Sequence, residues 1–290
     1  MNVLVTGSNG NLGCELRRLA ADSTDRFVFT DIGEMPGAET IHLDITNEEA
    51  LEIIVRGEKI DVIVNCAAYT QVDKAEDDVE FAAAINRDAP ESLARVAREV
   101  GATLIHISTD YVFSGEGNTP IKETVAPAPR SVYGSTKLAG EKTIQKSGCK
   151  YIIIRTAWLY SPAGKNFLTT MRGIMSTREE VRVVCDQVGS PTSAADLAGL
   201  IMHIINTRQL GKTGLYHFSG EGAVSWFDFA MAIKDICGYS CRVIPCLSSD
   251  YRTKARRPQY SVLDKGLVRK TFGVEVPYWR DSLEKCIKRK

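Results

Sequence analysis

The chain has no net charge: 36 basic and 36 acidic residues cancel across 290 positions. A polyanion or an anionic lipid surface is recognised by a field of one sign, so the balance argues against nucleic acid and membrane as partners. Long apolar runs are also missing. None approaches the ~20 residues that span a bilayer. No basic segment and apolar stretch of a secretory leader precedes the strand-like residues 2–6, so a cytoplasmic protein is expected. Cysteine pairs at metal-binding spacing are absent. The eight cysteines are scattered, and the nearest group, Cys237, Cys241 and Cys246, has no histidine close in sequence. Structural zinc favours tighter pairs, so no metal ligands are expected and the thiols read as free in a reducing compartment. There is no internal repeat and no low-complexity linker. What remains is 44% hydrophobic with both charges mixed throughout, the composition of a globular protein of one large or two modest domains.

The first half alternates short runs rich in Val and Ile with helical patterns. Strands are predicted over 2–6, 26–30, 40–42, 61–66, 103–108 and 151–156, and helices over 11–21, 47–57, 89–100 and 132–147. Thr46-Asn47-Glu48-Glu49 reads as a capping box, and Gly101 and Gly148 stand where helices would stop. Strand and helix in repetition imply an α/β fold, a doubly wound parallel sheet. Beyond about residue 160 the pattern loosens into helices near 166–177, 194–207, 226–237 and 279–288, broken by Gly, Pro and Ser. The expected organisation is a first domain over 1–160, to which segments near 180–220 return, and a smaller lobe over 161–290.

Gly7, Gly10 and Gly13 lie between the first strand and the first helix, with Asn11 and Leu12 in the helix's opening turn. Glycine permits a tight turn and close backbone approach, and a helix N-terminus offers unpaired amides to a diphosphate. The spacing, Gly-x-x-Gly-x-x-Gly, departs by one residue from the usual dinucleotide fingerprint, but the strand before it and the helix after it are the required context. The first domain is therefore expected to be a Rossmann-type NAD(P)-binding domain. Asp31 ends the second strand, 18 residues beyond Gly13. A carboxylate there can accept from the adenosine ribose and repel a 2′-phosphate, which favours NAD unless a nearby arginine compensates; the plainer alternative is an Asx turn before Gly33. Asp44 and Ile45 follow the third strand, where they could meet the adenine. Ala67, Ala68 and Tyr69 close the fourth, where small side chains leave room at the sheet crevice; ordinary packing competes for both segments.

Tyr133 and Lys137 are four residues apart, which puts them on one face of the 132–147 helix. An ammonium beside a phenol favours the phenolate, and a phenol so tuned can exchange a proton with a carbonyl or alcohol. Alone the pair is more often a solvated helix face. Thr109, after the fifth strand, would point a hydroxyl into the same crevice and could steady a carbonyl oxygen as charge develops, although Ser-Thr-Asp by itself is more often a turn.

With the glycine turn, the hydroxyl after strand five and Tyr-x-x-x-Lys in this order, the chain resembles the extended short-chain dehydrogenases/reductases. More narrowly it resembles the dTDP-4-dehydrorhamnose reductase family, through segments 62–76, 108–113, 132–142, 155–160, 166–167, 186–192, 214–217, 256–258 and 261–263. The resemblance implies that NADH or NADPH reduces the C4 ketone of a dTDP-sugar, dTDP-4-dehydro-β-L-rhamnose, and that the smaller lobe binds this substrate. It implies that Tyr133 donates the proton, that Lys137 binds the nicotinamide ribose and lowers the Tyr133 pKa, and that Thr109 positions the ketone oxygen. Thr109, Asp110 and Trp158 would contact the sugar nucleotide, and Arg257 could hold its diphosphate; a core aromatic and a solvated basic run are the competing readings of the last two. Family members can carry Mg2+ at a homodimer contact built from glutamates. Glu15 fits one such position, but Ala195 stands where another carboxylate is expected, which counts against the metal and that dimer. A related dehydratase would carry a second carboxylate after Asp110, where Tyr111 stands. An epimerase shares Thr, Tyr and Lys. The regulatory subunit of methionine adenosyltransferase resembles the same family, so fold alone does not assign activity.

Overall fold

A computed structural model of the chain describes residues 1–251 and 253–289. Its first half alternates β1 (Asn2–Thr6), α1 (Asn11–Ala20), β2 (Arg26–Asp31), β3 (Ile41–His42), α2 (Glu48–Gly57) and β4 (Val62–Asn65). Two short helices, α3 (Val72–Ala75) and α4 (Val79–Ala83), lead through a π-helical turn at Ala84–Asp88 into α5 (Ala89–Val100), β5 (Thr103–Thr109), α6 (Val132–Lys146) and β6 (Lys150–Thr156). The second half contains β7 (Leu159–Tyr160), α7 (Phe167–Met175), β8 (Glu180–Val184), β9 (Val188–Gly189), β10 (Thr192–Ser193), α8 (Ala194–Asn206) and β11 (Gly214–His217). It ends with β12 (Val224–Ser225), α9 (Trp226–Cys237), β13 (Arg242–Cys246), α10 (Gly266–Phe272) and α11 (Trp279–Lys288).

Seven strands form one sheet in the order β11-β6-β5-β4-β1-β2-β3, every pair parallel. This is the Rossmann-type doubly wound arrangement. The strand order reverses at β1, so the ends of β1 and β4 border the crevice where such sheets bind ligands. Side-chain alternation explains the two layers. Val3 and Val5 of β1 face a core with Leu12 and Leu16 of α1, Leu197 and Ile201 of α8, and Val268 and Phe272 of α10. Leu4 faces the other way, with Leu51 and Val55 of α2 and Leu93 and Val96 of α5. The chain thus returns to the first core at α8, β11 and α10. A separate core joins Leu168, Phe229, Ile233, Val243 and Leu283, around the parallel pair β8 and β13. Among the described residues no helix is long and apolar enough to cross a membrane.

The helix that carries Tyr133 and Lys137 is held at an unusually short distance from its neighbours. A Cβ on Gly134 would stand 2.2 Å from the Tyr111 carbonyl oxygen, and one on Gly140 2.1 Å from that of Asn86. Asn86 sits in the π-helical turn, where its side chain bonds both the N–H and the C=O of Tyr69. Gly140→Ala is expected to destabilise the protein by roughly 1–3 kcal/mol, because the backbone must move to admit the methyl. Ala has the higher helix propensity by about 1 kcal/mol, so a stability gain in urea denaturation would show that the contact is loose and defeat the argument.

Candidate active site

Three neighbouring clefts open along the C-terminal ends of the strands. The first, of about 410 Å³, is walled by Gly7, Gly10, Asp31, Asp44, Ile45, Ala67 and Ala68, together with Asn9, Ile32, Leu43, Thr46, Cys66, Phe81 and Ile85. The second, of about 440 Å³, shares Gly7, Gly10, Cys66 and Ala68 with it and adds Asn11, Leu12, Thr109, Asp110, Tyr133, Lys137, Trp158, Trp226 and Arg257. The third, of about 600 Å³, meets the second at Thr70, Val72, Trp226 and Arg257 and runs on to Arg182, Gln187, Tyr251 and Thr253.

The residues of the first cleft fit a dinucleotide. Gly7 adopts φ +63°, and a Cβ there would lie 2.6 Å from the Ala67 amide nitrogen, so only glycine lets the turn press against the end of β4. Helix α1 starts at Gly10 with no side chain capping it, which leaves its first amides open to an anion. Asp31 is at once a turn residue and a cleft wall: its carboxylate accepts from Gly33 N at 3.1 Å and from Asn9 N at 3.0 Å. One arginine, Arg17, stands beside this turn. Its guanidinium donates to Glu39 O, Ser8 Oγ and Thr40 Oγ1 and lies over the Phe29 ring, outside the cleft walls. Asp44 accepts from the amide and hydroxyl of Thr46.

Two of the expected cofactor residues do not wall these clefts. Gly13 does not line either cleft; a Cβ there would stand 2.4 Å from Ser8 Cα, so it serves the packing of α1 on the loop. Tyr69 is buried with Ala75 and Ala82, edge-on to Phe81, with its backbone N–H and C=O both bonded by the Asn86 side chain, and it is not among the residues that wall the two clefts.

Thr109 is the last residue of β5. Its hydroxyl accepts from Tyr111 N and lies 3.1 Å from Asp110 Oδ1. Burial pushes the Asp110 carboxyl up to about 6, against the pull of the Ser261 and Thr109 hydroxyls. Ser131 caps α6 by accepting from Gly134 N, and Tyr133 and Lys137 follow in the first two turns. Burial pushes the Tyr133 phenol up to about 12; the Thr109 hydroxyl lowers it and the Asp110 charge raises it. The expected lowering by Lys137 is not found in this structure. Lys137 Nζ is drawn onto the Ile107 carbonyl at 2.7 Å and lies 3.3 Å from His106 Nε2, and burial pulls its ammonium down to about 8.

Trp158 adopts φ +49°, a left-handed conformation that costs a bulky residue energy and is held by its surroundings. Its indole lies against Gly189, where a Cβ would come within 2.5 Å, and stacks on Trp226 with centroids 3.5 Å apart. Arg257 is anchored to Asp73 at 2.8 Å, while its buried Nε has no partner among the described residues. The Glu15 carboxylate is taken up by Arg18 and Arg289. Among the described residues no group of three His, Cys, Asp or Glu side chains could hold a metal ion.

Sequence reasoning missed Trp226, Arg182, Gln187 and Tyr251, which reach the clefts only through the folding of the smaller lobe. It also missed His106, whose signal was present: a histidine inside the apolar run Leu104-Ile105-His106-Ile107.

The whole chain, residues 1–290, matches the family model described as RmlD substrate binding domain. The chain is 39% identical over 298 aligned residues to the dTDP-4-dehydrorhamnose reductase of Escherichia coli K12, covering 99% of this chain and 97% of that protein. Among solved structures it is similar to a dTDP-4-dehydrorhamnose reductase from Clostridium acetobutylicum ATCC 824, with a TM-score of 0.92, 40% identity, and 99% and 98% of the two chains covered. It is also similar to the enzyme of that name from Bacillus anthracis strain Ames in complex with NADP, with a TM-score of 0.89, 36% identity and 98% of each chain covered.

Proposed function

The chain belongs to the dTDP-4-dehydrorhamnose reductase family of NAD(P)H-dependent oxidoreductases, and from that premise we propose that it reduces the C4 ketone of dTDP-4-dehydro-β-L-rhamnose to the alcohol of dTDP-L-rhamnose. One observation carries the reading. Thr109, Tyr133 and Lys137 wall a single cleft that is continuous with the glycine-lined one.

The reduced nicotinamide, when bound, supplies the hydride. The protein supplies the rest. Tyr133, whose buried phenol stays protonated at neutral pH, releases its proton to the ketone oxygen only as negative charge develops there. The Thr109 hydroxyl fixes that oxygen beside the phenol. The ammonium of Lys137 can hold the ribose hydroxyls once the ribose offers better acceptors than Ile107 O. Trp158 gives the sugar a flat wall with one donor, and Arg257, steadied by Asp73, can clamp the diphosphate. Tyr111 in place of a second carboxylate after Asp110 speaks against dehydration. The eight cysteines are all unpaired, which supports a cytoplasmic setting; a homodimer is part of the same reading.

The test is an assay of purified protein with the 4-keto sugar nucleotide and each reduced cofactor in turn. Consumption of NADH or NADPH that depends on the ketone is expected. No turnover with either defeats the assignment.

A further inference from the structure

Lys137 has an unusual neighbour. It is almost fully buried, and among the described residues it makes no ion pair. Of the titratable groups around it, Glu141 on its own helix is already held by Arg155. Cys66, just beyond β4, is half-buried in the cleft wall, and desolvation pushes its thiol up, so it stays neutral. From β5 come the Ile107 carbonyl and the fully buried ring of His106.

The state of that ring follows from a chain of hydrogen bonds. The Ala67 amide, which can only donate, points at Asn65 Oδ1 at 3.2 Å, and the Thr6 hydroxyl donates to the same oxygen at 2.7 Å. The Asn65 amide orientation is thereby fixed, with Nδ2 toward His106 Nδ1 at 3.0 Å. Nδ1 must accept, so the neutral ring carries its proton on Nε2, the atom that faces Lys137 Nζ. Burial and the neighbouring lysine keep the ring from taking a second proton. His106 therefore offers Lys137 a hydrogen and no lone pair. A neutral amine can accept that hydrogen; an ammonium cannot.

We propose that His106 is a positioning residue that favours Lys137 as a neutral amine in the cofactor-free protein, so that Lys137 takes up a proton from solvent when NADH binds. The inference rests on the reductase reading and deepens it. Ketone, NADH and one proton give alcohol and NAD+; Tyr133 gives that proton to the ketone oxygen, and the proton that Lys137 takes up enters earlier, with the reduced cofactor. Binding supplies the driving force: ribose hydroxyls accept from an ammonium, and the diphosphate is anionic.

The experiment is titration of the full chain with NADH at pH 8.5 by calorimetry in buffers of different ionisation enthalpy, which reads protons bound per cofactor. A group rising from about 8 to its ordinary value gains roughly 0.7 proton at that pH. Uptake near this value is expected for the parent chain, falling at least threefold in Lys137→Met. The same fall is expected in His106→Gln, where a carbonyl oxygen can accept from both Asn65 and Lys137. Asn65→Asp keeps the ring but offers Nδ1 a carboxylate acceptor, so the ring carries its proton on Nδ1, donates it to that carboxylate and turns the Nε2 lone pair toward Lys137; uptake should fall there too, and this variant decides if His106→Gln does not fold. NADH binding by the parent without proton uptake, or unchanged uptake in a folded His106→Gln or Asn65→Asp variant, overturns the proposal and leaves the reductase reading standing. A chain that binds neither reduced cofactor overturns both.

Discussion

Tyr133→Phe lowers kcat about a hundredfold or more, the scale of a lost general acid, while the fold and the affinity for cofactor stay close to those of the parent. The substitution removes one oxygen and keeps the ring. That ring is held edge-on to Tyr111, with centroids 5.4 Å apart, and a phenyl group preserves the contact. The loss should fall on kcat and on kcat/KM alike, because proton donation matters in the transition state and little in the ground state. The position of the phenol's pKa gives a second reading. Burial pushes it up to about 12, so its own ionisation should not limit the rate near neutrality. Any alkaline loss that begins near pH 8 in the parent belongs to a different group; Lys137, whose ammonium is pulled down to about 8 before the cofactor binds, would put that loss on cofactor binding and not on kcat. Steady-state kinetics of the variant with the 4-keto sugar nucleotide check the first point, and near-parental turnover removes Tyr133 from the mechanism.

The parts of this site that were legible in the sequence are those fixed by local geometry. The glycine turn could be read because a strand, a tight turn and a helix N-terminus are contiguous, and Gly7 indeed takes the left-handed φ that the turn requires. Tyr133 and Lys137 could be read because helical spacing alone puts them on one face. Thr109 needed only the end of a strand. What could not be read depends on contacts between distant segments. Trp226 lies 68 positions beyond Trp158, and their stacking exists only because the smaller lobe brings α9 over the cleft. The packing of Tyr69 could not be read, because proximity to a strand end says nothing of which way a ring turns; in the fold the ring lies with Ala75, Ala82 and Phe81. The seventh strand of the sheet, Gly214–His217, is four residues long, too short for its periodicity to stand out. The state of Lys137 was hidden for another reason. Its spacing from Tyr133 implied a partnership along the helix, whereas burial against β5 gives it partners across the sheet.

The same helix face supplies the largest expected loss of stability. Arg155 on β6 and Glu141 on α6 form a bidentate pair, Nε to Oε1 at 2.8 Å and the second guanidinium nitrogen to Oε2 at 2.6 Å, with side chains only 4% and 1% exposed. Ser108 also bonds the carboxylate, and the guanidinium lies over the Phe113 ring. Two charges taken this far from water gain little net energy together, but either one left alone is costly. Arg155→Met is therefore expected to lower stability by roughly 3–5 kcal/mol, the usual cost of stranding one partner of a buried pair. The double variant Arg155→Met, Glu141→Leu should recover most of that loss, because it removes the stranded charge along with its partner. Urea denaturation of the three proteins measures both effects. A single variant within about 1 kcal/mol of the parent, or a double variant no better than the single, would mean that water or a shifted side chain already neutralises Glu141. The consequence reaches the reaction centre, since Glu141 lies one helical turn beyond Lys137 and its charge favours the ammonium. Freed from Arg155, the carboxylate should hold Lys137 protonated before the cofactor arrives, and proton uptake on NADH binding should fall in the same variant that loses stability.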